Sequence, residues 1–262
     1  MNYNYHTHTY RCHHADGTER EYIEKAIEGG IKYMGFSDHI PFRFPNGFES
    51  EHRIYTCDVK DYFETLKALR EEYKDKIEIS IGFESEFYPK YYKEMIQNAT
   101  EAGAEYLILG QHYLGNELPD RINSISMQEK YEELKEYADT VIMAMESGYF
   151  TYVAHPDILN FAGDDKLYES EMRRICAKSR ELDIPLEINF LGIRTNRRYP
   201  YEKFWKIAGE EKSPVTFGFD AHDADAACDK KSVSKAMELV EKHKLNYIGK
   251  PKLRLLKNPS DS

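Results

Sequence analysis

Stretches with helical spacing alternate with short β-rich runs from one end of the chain to the other. In the first helical stretch Thr18 and Glu21 have the spacing of a capping box, apolar residues recur on one face, and Gly29-Gly30 ends the pattern. Further helices are predicted around 62–73, from a Ser126/Glu129 cap to about Ser147, and over 166–183 and 229–243.

Between the helical stretches lie seven strand candidates. They read YNYHTH, YMGFSDH, IEISIGFE, YLILGQH, YVAHP, PLEINF and VTFGFDAH. Strands that alternate with helices predict a parallel α/β sheet, either closed as a barrel or open and doubly wound. No linker or change of composition divides the chain, so we expect residues 1–262 to form a single domain, a length that a barrel accommodates.

The longest connection without helical spacing is PFRFPNGFESEHRIYTC, residues 41–57, after the second strand. Long loops in compact domains are usually functional or mobile. Because this loop follows the carboxyl end of a strand, we interpret it as a lid that covers a binding site. An inert surface insertion is the alternative.

Composition and charge exclude several classes of protein. The net charge of −10 argues against a nucleic-acid partner, because affinity for phosphate backbones comes from clustered Lys and Arg. The N-terminus has no signal-peptide pattern and no apolar run could span a membrane, so we expect a cytoplasmic protein without a membrane partner. The four cysteines are far apart and lack a CxxC pair, which argues against disulfides and against a thiolate zinc site.

Histidines and carboxylates recur where the predicted strands end. They are His6, His8, Asp38, His39, Glu84, His112, His155, Asp220 and His222. The carboxyl ends of parallel strands meet at the edge that carries the site in α/β proteins. One histidine at a strand end is more often structural than a ligand. Burying the whole set without a counter-charge would be very costly, however, so the set predicts bound cations.

The donor types leave the metal open. Imidazole and carboxylate without thiolate suit zinc, manganese or iron. His6 and His8 are two residues apart on a strand, which places both side chains on one face, as two ligands of one ion require.

The ordered motifs HTHTYRCHHADG, SDH, GFESE, GQH, AHPD and FDAHD, over positions 6–223, resemble the metal motifs of the PHP (polymerase and histidinol phosphatase) superfamily. EINFLGIR followed by NRRYPY resembles the histidinol-phosphate phosphatases within that superfamily. The resemblance implies a single-domain distorted (β/α)7 TIM-like barrel with three divalent metal ions at the carboxyl ends of the strands.

The resemblance also implies a ligand set. One metal is assigned to His6, His8, Glu84 and Asp220, a second to Glu84, His112 and His155, and a third to His39, His222 and a residue of the opening stretch. For that last ligand Asp16 is preferred, with His14 as the alternative. Asp38 is expected to orient a ligand or to hold the turn.

The implied activity is a cytoplasmic phosphomonoesterase that hydrolyses L-histidinol phosphate by attack of a metal-bridging hydroxide. Divalent ions lower the pKa of bound water from ~15.7 to about 7 in favourable zinc sites. Glu84, Asp220, His222 and Arg197 are the predicted catalytic residues, with His39 and His222 also contacting substrate. His222, Asp220 and a bound water remain alternative sources of the proton for the leaving group.

Three arginines, Arg194, Arg197 and Arg198, follow the sixth strand and are candidates for the phosphate clamp, because the planar guanidinium can pair two oxygens. The resemblance favours Arg197. Residues that would select the imidazole and amine of the substrate are not fixed by the sequence; Glu49, Glu51, Glu117 and Tyr199 are candidates.

Three rival interpretations follow from the same residues. A related phosphoesterase acting on nucleotides or oligonucleotides is disfavoured by the net acidity, and a non-catalytic PHP-like module by the complete set of donors. An amidohydrolase would usually carry a metal-bridging lysine on a middle strand, and none of the strand candidates offers one.

Overall fold

The computed structural model describes residues 1–118 and 121–256, and one curled parallel sheet runs through them. Its strands, in spatial order, are β1 (Tyr3–Asn4), β2 (Tyr33–Phe36), β3 (Glu78–Ser85), β4 (Tyr106–Leu109), β7 (Phe150–Val153), β8 (Leu186–Asn189), β9 (Pro214–Gly218) and β10 (Asn246–Tyr247). A separate antiparallel pair is formed by β5 (Tyr113–Leu114) and β6 (Ile122–Asn123).

The sheet curls far enough for β1 and β9, the first and seventh strands in spatial order, to meet at their carboxyl ends. Thr7 forms a parallel bridge with Ala221, and the His8 N–H donates to the Ala221 carbonyl at 2.9 Å. Seven strands therefore surround the barrel axis, which confirms the predicted distorted (β/α)7 barrel. The eighth strand, β10, pairs with β9 on the edge opposite β8 and was not predicted.

Eight helices connect the strands in the described part of the chain. They are α1 (Glu19–Gly29), α2 (Val59–Tyr73), α3 (Tyr92–Ala102), α4 (Tyr131–Ser147), α5 (Asp165–Leu182), α6 (Phe190–Arg194), α7 (Glu202–Glu211) and α8 (Lys230–His243). The Thr18/Glu21 capping box of α1 is confirmed. The predicted Ser126/Glu129 cap is wrong: α4 begins at Tyr131, because Gln128 bridges to Phe161 before the helix starts. In this part of the chain no helix has the length and apolarity needed to cross a membrane.

Tyrosines fill the barrel below its carboxyl rim. The Tyr106 hydroxyl donates to the Tyr5 carbonyl at 3.0 Å, although β1 and β4 are not neighbours in the sheet. Tyr3 and Tyr152 belong to the same buried cluster. Because these side chains reach across the interior, they close the barrel below the rim, and the cavity lined by the rim residues lies above them.

The 41–57 loop packs against the barrel. Phe42, Phe44 and Ile54 are buried in the main core, and Arg53 is buried as well. His52 and Arg53 line the cavity at the rim. The loop therefore forms part of the cavity wall, which disagrees with an inert surface insertion.

Candidate functional site

The carboxyl ends of the strands bring the predicted side chains together at one rim. His6 and His8 follow β1, His39 follows β2, Glu84 lies within β3, His112 follows β4, His155 follows β7, and Asp220 and His222 follow β9. A parallel bridge between His39 and Glu84 fixes the end of β2 against β3. The convergence expected from the strand order is therefore present in the structure.

Glu84 is the centre of this cluster. Its carboxylate oxygens lie 3.4 Å from a ring nitrogen of His6, 3.3 Å from His8, 3.2 Å from His39, 3.7 Å from His112 and 2.9 Å from His155. Burial alone would raise the pKa of Glu84, but the surrounding imidazoles, His6 and His112 foremost, hold it well below its usual range. One buried carboxylate is thus shared by five imidazoles, an arrangement suited to bridging two cations.

His6 and His8 point their Nε2 atoms at each other, 3.1 Å apart. Oδ1 of Asp220 lies 3.6 Å from the first and 3.4 Å from the second. Burial, followed by the proximity of His222, lowers the pKa of His8 to about 3, so this ring is neutral at pH 7. Imidazole nitrogens and carboxylate oxygens that converge in this way are typical of the ligands of one metal ion.

His155 and His112 approach the other oxygen of the Glu84 carboxylate. The ring centroids of the two histidines are 4.8 Å apart. His155 has a φ of 30° and Asp220 a φ of 46°, backbone conformations that residues other than glycine rarely adopt. Such strain is concentrated at functional sites, where the surrounding structure must hold it in place.

The third group joins His39 and His222 to His14. One nitrogen from each lies within 4.8 Å of the others. Asp16, the preferred ligand from the sequence, is exposed like His14, but unlike His14 it belongs to none of the candidate metal groups among the described residues. Its backbone is engaged instead: the Asp16 N–H donates to the His222 carbonyl at 2.9 Å, and its carbonyl accepts from Tyr22. The geometry therefore favours His14, the alternative.

Buried carboxylates hold several of these histidines in place. Nδ1 of His6 lies 2.9 Å from Oε2 of Glu187, and Nδ1 of His112 lies 2.9 Å from Oε1 of Glu86. Each contact directs the Nε2 atom of that ring towards the cluster. Asp38 accepts from the backbone N–H and the hydroxyl of Thr9, so it holds the turn after His8; burial raises the pKa of Asp38 to about 7.

Two of the three predicted phosphate-binding arginines have other partners. Arg194 donates to the backbone carbonyls of Phe219 and Asp220, which supports the strained turn at Asp220. Arg198 donates to the carbonyls of Leu159 and Phe161 and lies over the ring of Tyr201. Because these guanidinium groups are occupied by backbone oxygens, they are poor candidates for contacting substrate.

Arg197 and Tyr199 line the cavity above the cluster. The cavity has a volume of about 300 Å³, which suits a small molecule. Among the described residues, the guanidinium of Arg197 makes one side-chain hydrogen bond, to the Tyr199 hydroxyl at 2.9 Å. Asp220 and His222 line the same cavity. An anion held by Arg197 would therefore lie beside the candidate metal ligands.

Several buried charged residues of the site were not predicted. Glu187 lies within the apolar strand β8 and Glu86 directly follows β3, a signal that PLEINF and GFESE do contain. Arg53 has no such signal, because it lies in a loop. Of the four candidates for substrate selection, Glu117 and Tyr199 line the cavity, whereas Glu49 and Glu51 do not.

The chain is a parallel α/β barrel whose histidines and carboxylates meet at the carboxyl ends of the strands, in an arrangement suited to binding metal ions. It therefore falls in the class of α/β barrels with a candidate metal site. The chain belongs to the PHP domain family, whose model matches residues 4–190. The resemblance carried by the sequence motifs is therefore confirmed.

Two relatives match most of this chain in sequence, and one solved structure is similar to it in fold. A probable histidinol-phosphatase of Deinococcus radiodurans is 27% identical over 228 residues, covering 83% of this chain and 85% of that protein. A histidinol-phosphatase of Lactococcus lactis is 25% identical over 253 residues, covering 91% and 90%. The crystal structure of histidinol phosphate phosphatase from Lactococcus lactis, complexed with zinc, L-histidinol and phosphate, has a TM-score of 0.73 at 22% identity and covers 98% of this chain and 99% of that one.

Proposed function

We propose that this chain is a metal-dependent phosphomonoesterase that hydrolyses L-histidinol phosphate to L-histidinol and phosphate. The observation that carries the proposal is Glu84, a buried carboxylate shared by five imidazoles at the floor of a small cavity whose wall contains Arg197. The names of the relatives that match most of the chain support the same substrate.

The donors present fit divalent metal ions. In the described residues, no lysine or arginine neutralises the carboxylates of Glu84 and Asp220. Their ion-pair partners are histidines, including the neutral ring of His8. The residues that would hold the ions are His6, His8, Glu84 and Asp220; Glu84, His112 and His155; and His14, His39 and His222. We therefore propose His14 in place of Asp16, and three ions of zinc, manganese or iron.

When bound, the ions would activate water and neutralise negative charge on the phosphate oxygens. The side chains of this chain supply the rest. Arg197 binds the phosphate and fixes its position, and its bond to Tyr199 limits the directions in which the guanidinium can point. Glu187 and Glu86 keep the His6 and His112 rings oriented, so the site is organised before substrate enters.

The size of the cavity supports a monoester rather than a polymer. A volume of about 300 Å³ accommodates a compact substrate, and the net charge of −10 disfavours nucleic acid. The continuous sheet supports one PHP-type domain over 1–262, of which 119–120 and 257–262 lie outside the described residues.

A metal-controlled substrate panel tests this function. Chain stripped with a chelator and reloaded with zinc, manganese or iron is assayed on L-histidinol phosphate, nucleoside monophosphates and single-stranded DNA. We expect kcat/KM for L-histidinol phosphate to exceed that for the other substrates by about 100-fold, and no activity without metal. Faster turnover of the DNA would support the oligonucleotide alternative, and chelator-resistant activity would contradict a metal-dependent mechanism.

A further inference from the structure

A buried ion-pair cluster links the 41–57 loop to the candidate metal site. Its residues are Arg53 from the loop, Glu86 just after β3, and Glu117. All three side chains are at most 3% exposed. Burying three charged groups is costly unless each is fully paired, so the contacts that pair them constrain the geometry.

Arg53 uses most of its donors within this cluster. Its Nε donates to Oε2 of Glu117 at 2.6 Å, and its Nη2 donates to Oε2 of Glu86 at 2.6 Å. Nη1 donates to the Ile40 carbonyl at 3.2 Å. Ser50, from the same loop, donates to the other oxygen of Glu117 at 2.5 Å. The guanidinium therefore joins the loop to two carboxylates from other parts of the chain.

Glu86 divides its two oxygens between the loop and the metal site. Oε2 accepts from Arg53, whereas Oε1 lies 2.9 Å from Nδ1 of His112. His112 in turn directs Nε2 towards Glu84, 3.7 Å away. A displacement of Arg53 would thus move Glu86 and release the His112 ring from its fixed orientation.

From this relay we propose that Arg53 is a positioning residue for the metal site: through Glu86 it fixes the orientation of His112 and couples the placement of the 41–57 loop to metal affinity. Arg53 cannot ligate a cation itself, because guanidinium has no free lone pair. The inference rests on the proposed function, since it assigns His112 to a metal ion.

The test is a zinc titration of four variants. Wild type, Arg53→Met, Arg53→Lys, Glu86→Gln and the control Arg43→Met are stripped with a chelator and titrated with Zn²⁺ against a competing chromophoric chelator. Arg43→Met is a matched control because it breaks another ion pair of the same loop, with Glu49. We expect Arg53→Met and Glu86→Gln to bind one Zn²⁺ per chain about 10- to 100-fold more weakly. Arg53→Lys should recover part of the loss, and Arg43→Met should match wild type.

A combined variant separates positioning from general loosening of the loop. If Arg53 acts through Glu86, adding Arg53→Met to Glu86→Gln should change zinc affinity by less than about threefold, because both changes break the same relay. Wild-type zinc affinity in Arg53→Met, or an equal loss in Arg43→Met, would overturn the proposal. A rise in KM for substrate at unchanged zinc affinity would instead show that Arg53 contacts substrate, and would also overturn it.

Two controls keep the outcomes distinct. If Arg53→Met does not fold, as judged by circular dichroism, Glu86→Gln decides: wild-type zinc affinity in that near-isosteric variant overturns the relay. If wild type binds zinc and hydrolyses L-histidinol phosphate, and the variants bind zinc with wild-type affinity, only this inference is refuted. A wild-type chain that binds none of zinc, manganese and iron refutes the proposed function together with it.

Discussion

His6 and Glu187 form a fully buried pair, with Nδ1 of the imidazole 2.9 Å from Oε2 of the carboxylate. Burial lowers the pKa of His6, but Glu187 and then Asp220 outweigh it and raise the pKa well above the usual value. The contact orients the ring so that Nε2, once it has lost its proton, faces a bound cation. We therefore expect Glu187→Gln to weaken the binding of one metal ion by about 10- to 100-fold, measured by equilibrium dialysis with zinc.

Glu171→Gln is a suitable control for that experiment. Glu171 is also a buried glutamate, but it pairs with Arg174 and Tyr131 on the outer helices. Both variants should lose some thermal stability, and only Glu187→Gln should lose metal affinity. Equal metal affinity in the two would show that Glu187 merely fills the barrel interior.

The convergence of the site could be predicted because it depends only on strand order. Side chains at the carboxyl ends of parallel strands must meet at one rim, so His6, Glu84 and His155 did not need a structure to be grouped. The orientation of each ring depends on partners from elsewhere in the chain. Arg53 illustrates the limit: nothing in its local sequence shows that it is buried between two carboxylates.

The fold was predicted wherever the hydrophobic spacing is long and regular. Helices α3, α6 and α7 were not predicted. Helix α6 has only five residues, and α3 and α7 are as short as α1 but do not begin with a side-chain cap like the Thr18/Glu21 box that marks α1. The strand β10 spans only Asn246–Tyr247 and carries no alternating pattern. In the opening stretch, Asp16 and His14 lie two residues apart after a 3-10 turn at Tyr10–Cys12, and their spacing in the sequence does not show which of the two side chains faces His39.

A matched pair of substitutions tests the third group of ligands. His14→Ala should lower both the zinc content per chain and kcat, by about 10- to 100-fold, because His14 joins His39 and His222. Asp16→Ala keeps the backbone bonds to His222 and Tyr22 and should change kcat by less than about threefold. The measurements are elemental analysis and steady-state kinetics. A larger loss in Asp16→Ala would restore the assignment made from the sequence.

Gly110 leaves room for the central carboxylate. A Cβ atom at this position would lie 1.9 Å from Oε1 of Glu84, far inside van der Waals contact. Gly110→Ala must therefore displace the Glu84 carboxylate, whose Oε1 atom lies near the ring nitrogens of His155 and His112. We expect kcat/KM to fall by about 100-fold or more, with loss of bound metal.

The same substitution distinguishes geometry from stability. Because alanine only adds a methyl group, the far-ultraviolet circular dichroism of Gly110→Ala should match that of wild type even if the melting temperature falls. Retained activity with full metal content would mean that Glu84 can move without consequence, which contradicts its central role.

Arg197 and Arg198 are adjacent, yet the structure predicts opposite effects for their replacement. Arg197 faces the cavity and donates to the Tyr199 hydroxyl, so Arg197→Ala should lower kcat/KM by about 10- to 100-fold while leaving the melting temperature nearly unchanged. Arg198 is bound to the Leu159 and Phe161 carbonyls, so Arg198→Ala should lower the melting temperature by about 4 °C and change kcat/KM by less than about threefold. Kinetics and thermal unfolding of both variants check this. If Arg198→Ala instead lowers kcat/KM and Arg197→Ala lowers the melting temperature, Arg198 is the residue that binds phosphate. An arginine that contacts substrate affects transition-state binding without contributing to the fold.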